Sequence, residues 1–187
     1  MTQATVPEGT QRIFIGIPVG ENTQAGINEL LKPIKAQQQY VRWVTENNRH
    51  LTLAFLGNIP LSAVEHILCL SEETYRREKR FQFRLSALSR FPTPAGRILA
   101  VTGEPAKSLD HLYQTTLNLL HRSRIRFDRQ EFRPHITLGR INKPQQVKEI
   151  FDLPVDIAMN ITNVVIYQSR LTETGSIYSS LRTLQLN

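Results

Sequence analysis

Two stretches of the chain, His50-Leu51-Thr52-Leu53 and His135-Ile136-Thr137-Leu138, repeat the order histidine, aliphatic, threonine, aliphatic. Side chains alternate between the two faces of a β-strand, so residues two positions apart share a face. As a strand, each stretch presents its histidine and threonine together and turns its aliphatic pair to the other side. The pattern predicts two strands that each bury aliphatic residues and display an imidazole beside a hydroxyl.

The repetition of this pattern carries more weight than either copy alone. One histidine and threonine in this spacing are typical of a strand surface or of a hydrogen-bonded core histidine. Two copies with the same phase, in opposite halves of the chain, favour a shared site. Such a site has two groups that titrate near neutral pH and two neutral hydroxyl donors, which suits acid–base chemistry on an anionic phosphodiester.

Composition restricts the broad class of protein. The 187 residues, 40% hydrophobic and 21% charged, are typical of a soluble globular protein, and we expect one two-lobed domain over residues 1–187. No apolar stretch is long enough to cross a bilayer, so no membrane partner is expected. The net charge of +7 favours a polyanionic partner such as nucleic acid.

The lone cysteine and the remaining histidines indicate neither a disulfide nor a metal site. Cys69 has no partner cysteine, which predicts a reducing, cytoplasmic location, and its neighbours predict a buried position on a helix. His66, His111 and His121 lack a threonine two residues later and show no zinc-ligand spacing, so they are predicted to be surface or interface residues.

Hydrophobic periodicity predicts a mixed set of helices and strands. The predicted strands are 12–17, 41–44, 50–56, 81–88, 97–102, 161–169 and 177–186, with a further strand at the second histidine motif, and the predicted helices are 21–35, 61–77, 109–122 and 144–151. Pro33 is expected to end or kink the first helix, Ser62 to cap the second, and Thr174-Gly175 to form a hairpin turn. The two halves resemble each other, which predicts an α+β, bilobal, duplicated unit. In it, two antiparallel sheets are flanked by helices, and the two His-x-Thr strands lie in a central cleft.

Several further phrases, in order along the chain, resemble the 2H phosphoesterase superfamily, and within it the RNA 2',3'-cyclic phosphodiesterase (2'-5' RNA ligase) family. The matching phrases are Arg12-Ile13-Phe14-Ile15-Gly16-Ile17, Trp43, His50 to Gly57, Arg97-Ile98-Leu99, Phe132 to Leu138, Ser169-Arg170-Leu171, Gly175 and Tyr178. The resemblance covers nearly the whole chain.

The resemblance implies a hydrolase that opens 2',3'-cyclic phosphate ends of RNA to 2'-phosphate ends without a metal or other cofactor. It also implies reversible 2'-5' RNA ligation. Opening the ring needs a base for water and an acid for the departing ribose oxygen, on opposite sides of phosphorus. By analogy with the family, His50 is the proton donor and His135 the proton acceptor, although the residues alone do not assign the two roles.

The remaining site predictions concern substrate contacts. Thr52 and Thr137 are expected to donate hydrogen bonds to the nonbridging phosphate oxygens. Arg140 follows the second motif and is expected to bind phosphate, because a guanidinium matches phosphate geometry. Arg97 is also predicted to bind substrate.

Aromatic side chains and basic runs suggest how RNA is held. Phe14, Trp43, Phe91 and Tyr178 are candidates for stacking on a terminal base, and of these Phe14 and Tyr178 are the predicted substrate contacts. One basic run precedes the second motif, and another spans the end of the helix predicted at 61–77. Such runs are typically solvated faces, but the first adjoins the predicted site. The first run comprises Arg122, Arg124, Arg126, Arg129 and Arg133, and the second Arg76, Arg77, Lys79 and Arg80.

Two other functions are compatible with the same residues. The substrate could be a small cyclic nucleotide or a 2'-5' oligonucleotide, with unchanged chemistry. The cleft could instead belong to a non-catalytic module that binds RNA or nucleotides. Two intact His-Thr pairs argue against the second alternative, because binding alone does not require two imidazoles. We expect a monomer acting on RNA with 2',3'-cyclic phosphate ends.

Overall fold

The computed structural model describes residues 7–125, 127, 131–143, 153–173 and 175–187. The strands are β1 (Thr10–Pro18), β2 (Val41–Trp43), β3 (His50–Pro60), β4 (Phe81–Phe91), β5 (Ile98–Gly103), β6 (His135–Ile141), β7 (Leu153–Ile161), β8 (Asn163–Thr172) and β9 (Gly175–Gln185). The helices are α1 (Glu21–Lys35), α2 (Leu61–Tyr75) and α3 (Lys107–Arg122), with a short 3₁₀ turn at Glu46–Asn48.

All strand pairings are antiparallel, and the strand order is β7-β4-β5-β6-β3-β1-β8-β9, with β2 on β6. This confirms the predicted α+β class but refines the expectation of two sheets. The described strands form one hydrogen-bonded sheet, in which β3 and β6 are joined by the single residue pair Leu51 and Ile136. We call β3-β1-β8-β9 the first half-sheet and β6-β5-β4-β7, with β2, the second half-sheet. The join at Leu51 and Ile136 is the seam.

The two half-sheets repeat one arrangement around the seam. In each, the histidine strand pairs with a strand that leads into a helix, β1 into α1 and β5 into α3. A third and a fourth strand then follow outward, β8 and β9 in one half and β4 and β7 in the other. The duplication predicted from sequence is therefore visible in the strand order.

The core lies between the sheet and the helices, and it crosses the seam. Leu51 and Ile136 are fully buried. Helix α1 packs on β7, where the Thr23 hydroxyl donates to the Ala158 carbonyl at 2.9 Å. Helices α2 and α3 pack together and against β3. All three helices carry amphipathic sequences and turn their apolar faces to this core.

Several element boundaries differ from the sequence predictions. Helix α1 contains Pro33 in its last turn and continues to Lys35, so the proline does not end the helix at its own position. The N-cap of α2 is Pro60, not Ser62, and no side chain caps it. Strand β3 continues beyond Gly57, which takes a positive φ of 67° at an irregularity in the pairing with β1.

Other differences concern residues that the predicted elements missed or misplaced. Strand β7 was not predicted, although Val155, Ile157, Met159 and Ile161 alternate with polar or small residues along it. Cys69 is exposed, so the predicted buried position is wrong: α2 turns Val64 and Ile67 to the core instead. The helix predicted at 144–151 lies outside the described residues, as does Thr174 of the predicted turn. In the described part of the chain, every helix is too short or too polar to cross a lipid bilayer.

Candidate active site

The seam brings the two histidine motifs together in antiparallel register. Leu51 lies opposite Ile136, so one residue further in each direction His50 falls opposite Thr137 and Thr52 opposite His135. The aliphatic pair of each motif is buried, whereas the histidines and threonines are only half-buried. Each imidazole thus has one threonine beside it on its own strand and another across the seam.

Both imidazole rings are oriented by the same backbone contact. Nδ1 of His50 lies 2.8 Å from the Asn48 carbonyl oxygen, and Nδ1 of His135 lies 2.8 Å from the Arg133 carbonyl oxygen. A carbonyl oxygen only accepts, so Nδ1 carries the proton in both residues. Nε2 is then the atom that exchanges protons with a ligand. This contact persists in both charge states, since an imidazolium also has a proton on Nδ1.

The pKa values of both histidines are lowered, mainly by burial. For His50, the hydrogen bond to Asn48 opposes the effect of burial on the pKa, and the charge of His135 lowers it further. For His135, the bond to Arg133 opposes it, and the positive charge of Arg133 lowers the pKa. Both imidazoles therefore favour the neutral form in the free protein. A bound phosphate anion would raise both pKa values.

Aromatic rings surround His50 on the first half-sheet. The Phe14 ring lies 4.6 Å from the His50 ring and stacks on Tyr167 at 4.7 Å, while the Tyr178 ring meets His50 edge-on at 5.3 Å. Gly16 lies opposite Thr52, and a Cβ there would be 3.4 Å from Cδ2 of His50 and 3.0 Å from the Leu51 carbonyl oxygen. The cluster therefore fits closely around the imidazole.

This cluster changes the prediction made for one aromatic residue. Phe14 is 2% exposed, so it has no free face for a nucleotide base and supports the His50 ring instead. Tyr178 is half-buried beside the imidazole, in reach of a ligand there. Tyr167 was not predicted from sequence, and burial raises the pKa of its hydroxyl to about 12, so that it stays neutral.

His135 is supported differently, by one ring and one cation. The Phe91 ring stacks on the His135 ring at 3.9 Å, and the Arg133 guanidinium carbon lies 4.9 Å from the centre of the Phe91 ring. Arg133 is exposed, and its positive charge remains close to the imidazole. Phe91 was a sequence candidate for base stacking, and it contacts the second histidine.

A cavity of about 270 Å³ adjoins the motifs at the seam. Thr52 and His135 line it together, as expected for residues that face each other across the seam. It extends past Phe55 towards Tyr113 and Phe132, whose rings stack at 4.2 Å. The cavity provides room for a water molecule and part of a ligand beside His135.

Both histidine strands carry a bulge directly after the motif. Against β1, Thr52 pairs with Gly16 and Ala54 with Ile15, which leaves one extra residue on β3. Against β5, β6 shows the same irregularity after Thr137. An extra residue reverses the alternation that follows it, so the fifth residue after each histidine returns to the histidine face. The first seven residues of both strands also have the same order of buried and exposed positions.

The residues that the bulges bring to this face are Phe55 and Arg140. Phe55 is 50% exposed, and the Arg12 guanidinium carbon lies 4.7 Å from its ring centre. Simple alternation from His50 places Phe55 on the buried side, so its position was not predictable from the sequence pattern. Arg140 is exposed and lies opposite Arg42 of β2, which is also exposed. Two cations face each other there across a strand pair, an arrangement that an anion stabilises.

The structure does not join Arg97 to this group. The Arg97 carbonyl accepts a hydrogen bond from the Ile141 amide at 2.8 Å. Arg97 therefore lies next to Ile141, one residue beyond Arg140 along β6. His66, His111 and His121 are exposed on helices, as predicted. No group of three or more potential metal-ligating side chains occurs among residues 7–125, 127, 131–143, 153–173 and 175–187.

The basic run before the second motif is only partly described. Arg122, Arg124 and Arg133 are exposed, and Arg124 takes a left-handed φ of 55° just after α3. Arg126 and Arg129 lie outside the described residues. Of the described members of the run, Arg133 is the one whose guanidinium contacts a ring at the histidine site.

Known proteins resemble this chain over most of its length. An RNA 2',3'-cyclic phosphodiesterase of Thermotoga maritima is 31% identical over 182 residues, covering 93% of this chain and 95% of the relative. A second protein of that name, from Aeropyrum pernix, is 31% identical over 154 residues, covering 75% of this chain and 84% of the relative.

Solved structures share the fold. A protein of Thermus thermophilus superposes with a TM-score of 0.82 at 24% identity, covering 94% of this chain and 97% of that one. E. coli LigT, solved with 3'-AMP, gives 0.78 at 22% identity, covering 95% and 99%. The model of the 2'-5' RNA ligase superfamily matches residues 23–173. With paired His-x-Thr strands meeting at the seam of such a fold, this chain belongs to the 2'-5' RNA ligase superfamily of 2H phosphoesterases.

Proposed function

We propose that this protein hydrolyses 2',3'-cyclic phosphate ends of RNA to 2'-phosphate ends, using His50 and His135 as its acid and base. The observation that supports this most strongly is the antiparallel meeting of two motifs whose imidazoles each keep Nε2 available. The names of the relatives support the same substrate.

In this mechanism, water attacks phosphorus while Nε2 of neutral His135 accepts the proton of the water. The bond between phosphorus and the ribose 3' oxygen breaks, and Nε2–H of protonated His50 donates its proton to that oxygen. The products are a 2'-phosphate and a free 3'-hydroxyl. His135 ends protonated and His50 neutral, and exchange with solvent restores both. In the ligation direction the two residues exchange roles.

The charges near the two rings support this assignment. The Arg133 cation lowers the pKa of His135, which favours a neutral base beside the cavity that can hold water. For His50, the charge that lowers the pKa is that of His135 itself, so His50 is protonated more readily while His135 is neutral. An incoming phosphate raises the pKa of His50 further.

The threonines and the bulge residues complete the proposed binding site. Thr52 and Thr137 donate hydroxyl hydrogen bonds to the nonbridging oxygens, where charge develops in the transition state. The exposed ring of Phe55 offers a face for the terminal base. Arg42 and Arg140 bind the next phosphate along the RNA, because their facing charges attract an anion.

This site favours RNA over the two alternatives. A cyclic mononucleotide has no second phosphate for Arg42 and Arg140, so it uses only part of the binding surface. A binding module has no need for two imidazoles with Nε2 free. We further propose a single two-lobed domain, because one buried core crosses the seam, acting as a cytoplasmic monomer.

The test uses purified protein with a short RNA ending in a 2',3'-cyclic phosphate and with a cyclic mononucleotide, each with excess chelator. We expect turnover of both, a higher kcat/KM for the RNA, and phosphate retained on the 2' oxygen. A 3'-phosphate product would contradict the assignment of the leaving oxygen. Turnover that requires an added divalent metal would contradict acid–base catalysis by side chains alone.

A further inference from the structure

Arg49 is an unusual residue to find directly before the first motif. It is 3% exposed and lies between the 3₁₀ turn and β3. Its Nη1 donates to the Gln24 side-chain oxygen and to the Asn28 side-chain oxygen, both at 2.8 Å. Its Nε is fully buried without a hydrogen-bond partner, and no described carboxylate forms an ion pair with its guanidinium.

Such a side chain is costly for folding. A buried cation loses its hydration, and neutral amide oxygens restore less of that loss than a carboxylate does. Burial accordingly lowers the pKa of Arg49, opposed by the charge of Glu46. An aliphatic side chain fills a buried position at lower cost. The hydrogen bonds of Arg49 therefore require an explanation other than stability.

These bonds fasten the 3₁₀ turn to α1. Besides the two from Arg49, the Asn28 amide donates to the Glu46 carboxylate at 2.8 Å, and the Gln24 amide donates to the Glu46 carbonyl at 2.9 Å. The Arg49 backbone amide also donates to that carbonyl, at 3.0 Å. The beginning and the end of the turn are thus both held against the same face of one helix.

The residue enclosed by this network is Asn48, whose carbonyl oxygen accepts the Nδ1 proton of His50. The side chain of Asn48 donates to the Ser176 carbonyl of β9 at 2.9 Å. The acceptor that orients the His50 ring is therefore fixed to β9 by its own side chain and to α1 through Arg49. A shift of this carbonyl changes both the direction of Nε2 and the preferred tautomer.

We propose that Arg49 is a positioning residue for His50: it holds the Asn48 carbonyl in place, keeps the proton on Nδ1, and so aims Nε2 at the substrate. It acts through Asn48 and does not touch the substrate. This inference rests on the proposed function for its effect on turnover, but its effect on the tautomer does not depend on that function.

The test compares Arg49→Met and Asn28→Ala with the wild-type protein. Both variants lose the bond between Arg49 and Asn28, and Asn28→Ala places a good helix former at a partly exposed position, so it folds even if Arg49→Met does not. The matched control is Lys32→Met, which removes from the same helix a cation that pairs with the exposed Glu29.

Two measurements are made on each variant. Nitrogen NMR of the imidazoles reports the tautomer of His50, and steady-state kinetics report kcat and KM. We expect Arg49→Met to show a mixed tautomer at His50 alone, with His135 unchanged. We also expect its kcat to fall about 10-fold to 100-fold while KM changes by less than about 3-fold, since misplacing a reacting group costs rate more than binding. Asn28→Ala should change the His50 tautomer and kcat in the same directions, but by smaller amounts.

The inference is overturned if a folded Arg49→Met or Asn28→Ala variant keeps both the Nδ1–H tautomer of His50 and the wild-type kcat. It is also overturned if Lys32→Met lowers kcat equally. If wild-type protein fails to open cyclic phosphates, the proposed function fails, while the tautomer comparison still decides the role of Arg49.

Discussion

The two histidines carry the same motif and the same backbone contact, but their surroundings differ. His50 lies among Phe14, Tyr167 and Tyr178 on the first half-sheet. The carbonyl that accepts its Nδ1 proton belongs to Asn48, which is bonded to β9 and held next to α1. His135 is stacked on Phe91 beside a cavity and next to a cation. The His50 ring is enclosed and held in place, whereas the His135 ring borders a cavity and has its pKa lowered by a neighbouring cation.

This difference suggests how a duplicated motif acquires two roles. A proton donor must point at one departing oxygen, so a fixed ring serves it well. A proton acceptor must stay neutral and must reach water, so a neighbouring cation and an open cavity serve it. The two half-sheets share a backbone plan, and in the proposed mechanism the two roles follow from the residues placed around it.

The largest expected effect comes from removing either imidazole. His50→Ala and His135→Ala should each lower kcat by about 10²-fold to 10⁴-fold, because each loses a proton transfer. His111→Ala, at an exposed position on α3, is the control and should retain wild-type kcat. Near-normal turnover in either folded motif variant would show that the residue is neither acid nor base.

The pH dependence of these variants separates the two roles. The wild-type rate should be bell-shaped, with both limbs belonging to the coupled pair. Burial lowers the pKa of both histidines in the free protein, so both limbs of the kcat/KM profile should lie at lower pH than those of kcat. The kcat profile reports the complex, in which the bound phosphate raises both pKa values. His135→Ala should lose the acidic limb and His50→Ala the alkaline limb. The reverse result would exchange the assigned roles.

The second expected effect concerns stability and tests the contrast between an enclosed ring and an open one. Phe14→Ala should lower the free energy of unfolding by about 3–5 kcal/mol, as for other buried phenylalanines. Phe91→Ala should lower the free energy of unfolding by less, because the partly exposed Phe91 ring removes less apolar area from water on folding. Denaturant unfolding of both variants measures the difference. Equal losses would contradict the contrast.

The threonines should show a smaller effect that is similar on the two sides. Thr52→Val and Thr137→Val should each lower kcat by about 10²-fold, the usual consequence of losing one donor to a developing oxyanion. Thr162→Val, at the exposed residue between β7 and β8, makes the same replacement away from the histidine motifs and serves as the control. A large loss in one variant and none in the other would mean that only one threonine contacts the phosphate.

The smallest expected effect concerns the facing arginines of the second half-sheet. Replacing Arg42 and Arg140 together by Gln should reduce the slope of log affinity for RNA against log salt concentration by about 0.7, since the two arginines neutralise one phosphate of a single strand. Binding of a cyclic mononucleotide should change less. Lys79→Gln, in the other basic run, is the control. Equal weakening of both ligands would place these arginines at the catalytic phosphate.

Sequence was sufficient to predict the features that depend on local alternation. The phase of His50 with Thr52, and of His135 with Thr137, follows from strand geometry alone. The predicted strands, the main helices and the closing hairpin also correspond to elements of the structure, apart from their ends. Each of these predictions needs only a residue and its near neighbours.

Features that depend on pairing with distant strands were not predictable in this way. The bulges after the motifs are set by the register against β1 and β5, and they alone bring Phe55 and Arg140 to the histidine face. Phe14 looks like a free aromatic in sequence, but the Tyr167 ring covers it. Tyr167 itself lies more than a hundred residues from His50 along the chain.

The seam also has a mechanical consequence. Every other pair of adjacent strands along the sheet is joined by several residue pairs, whereas β3 and β6 share one. Bending the sheet at Leu51 and Ile136 therefore disturbs fewer paired residues than separating any other two adjacent strands. In the proposed mechanism the proton donor and the proton acceptor lie on opposite sides of this seam. We expect the cleft to widen for product exit and narrow for the next turnover with both half-sheets intact.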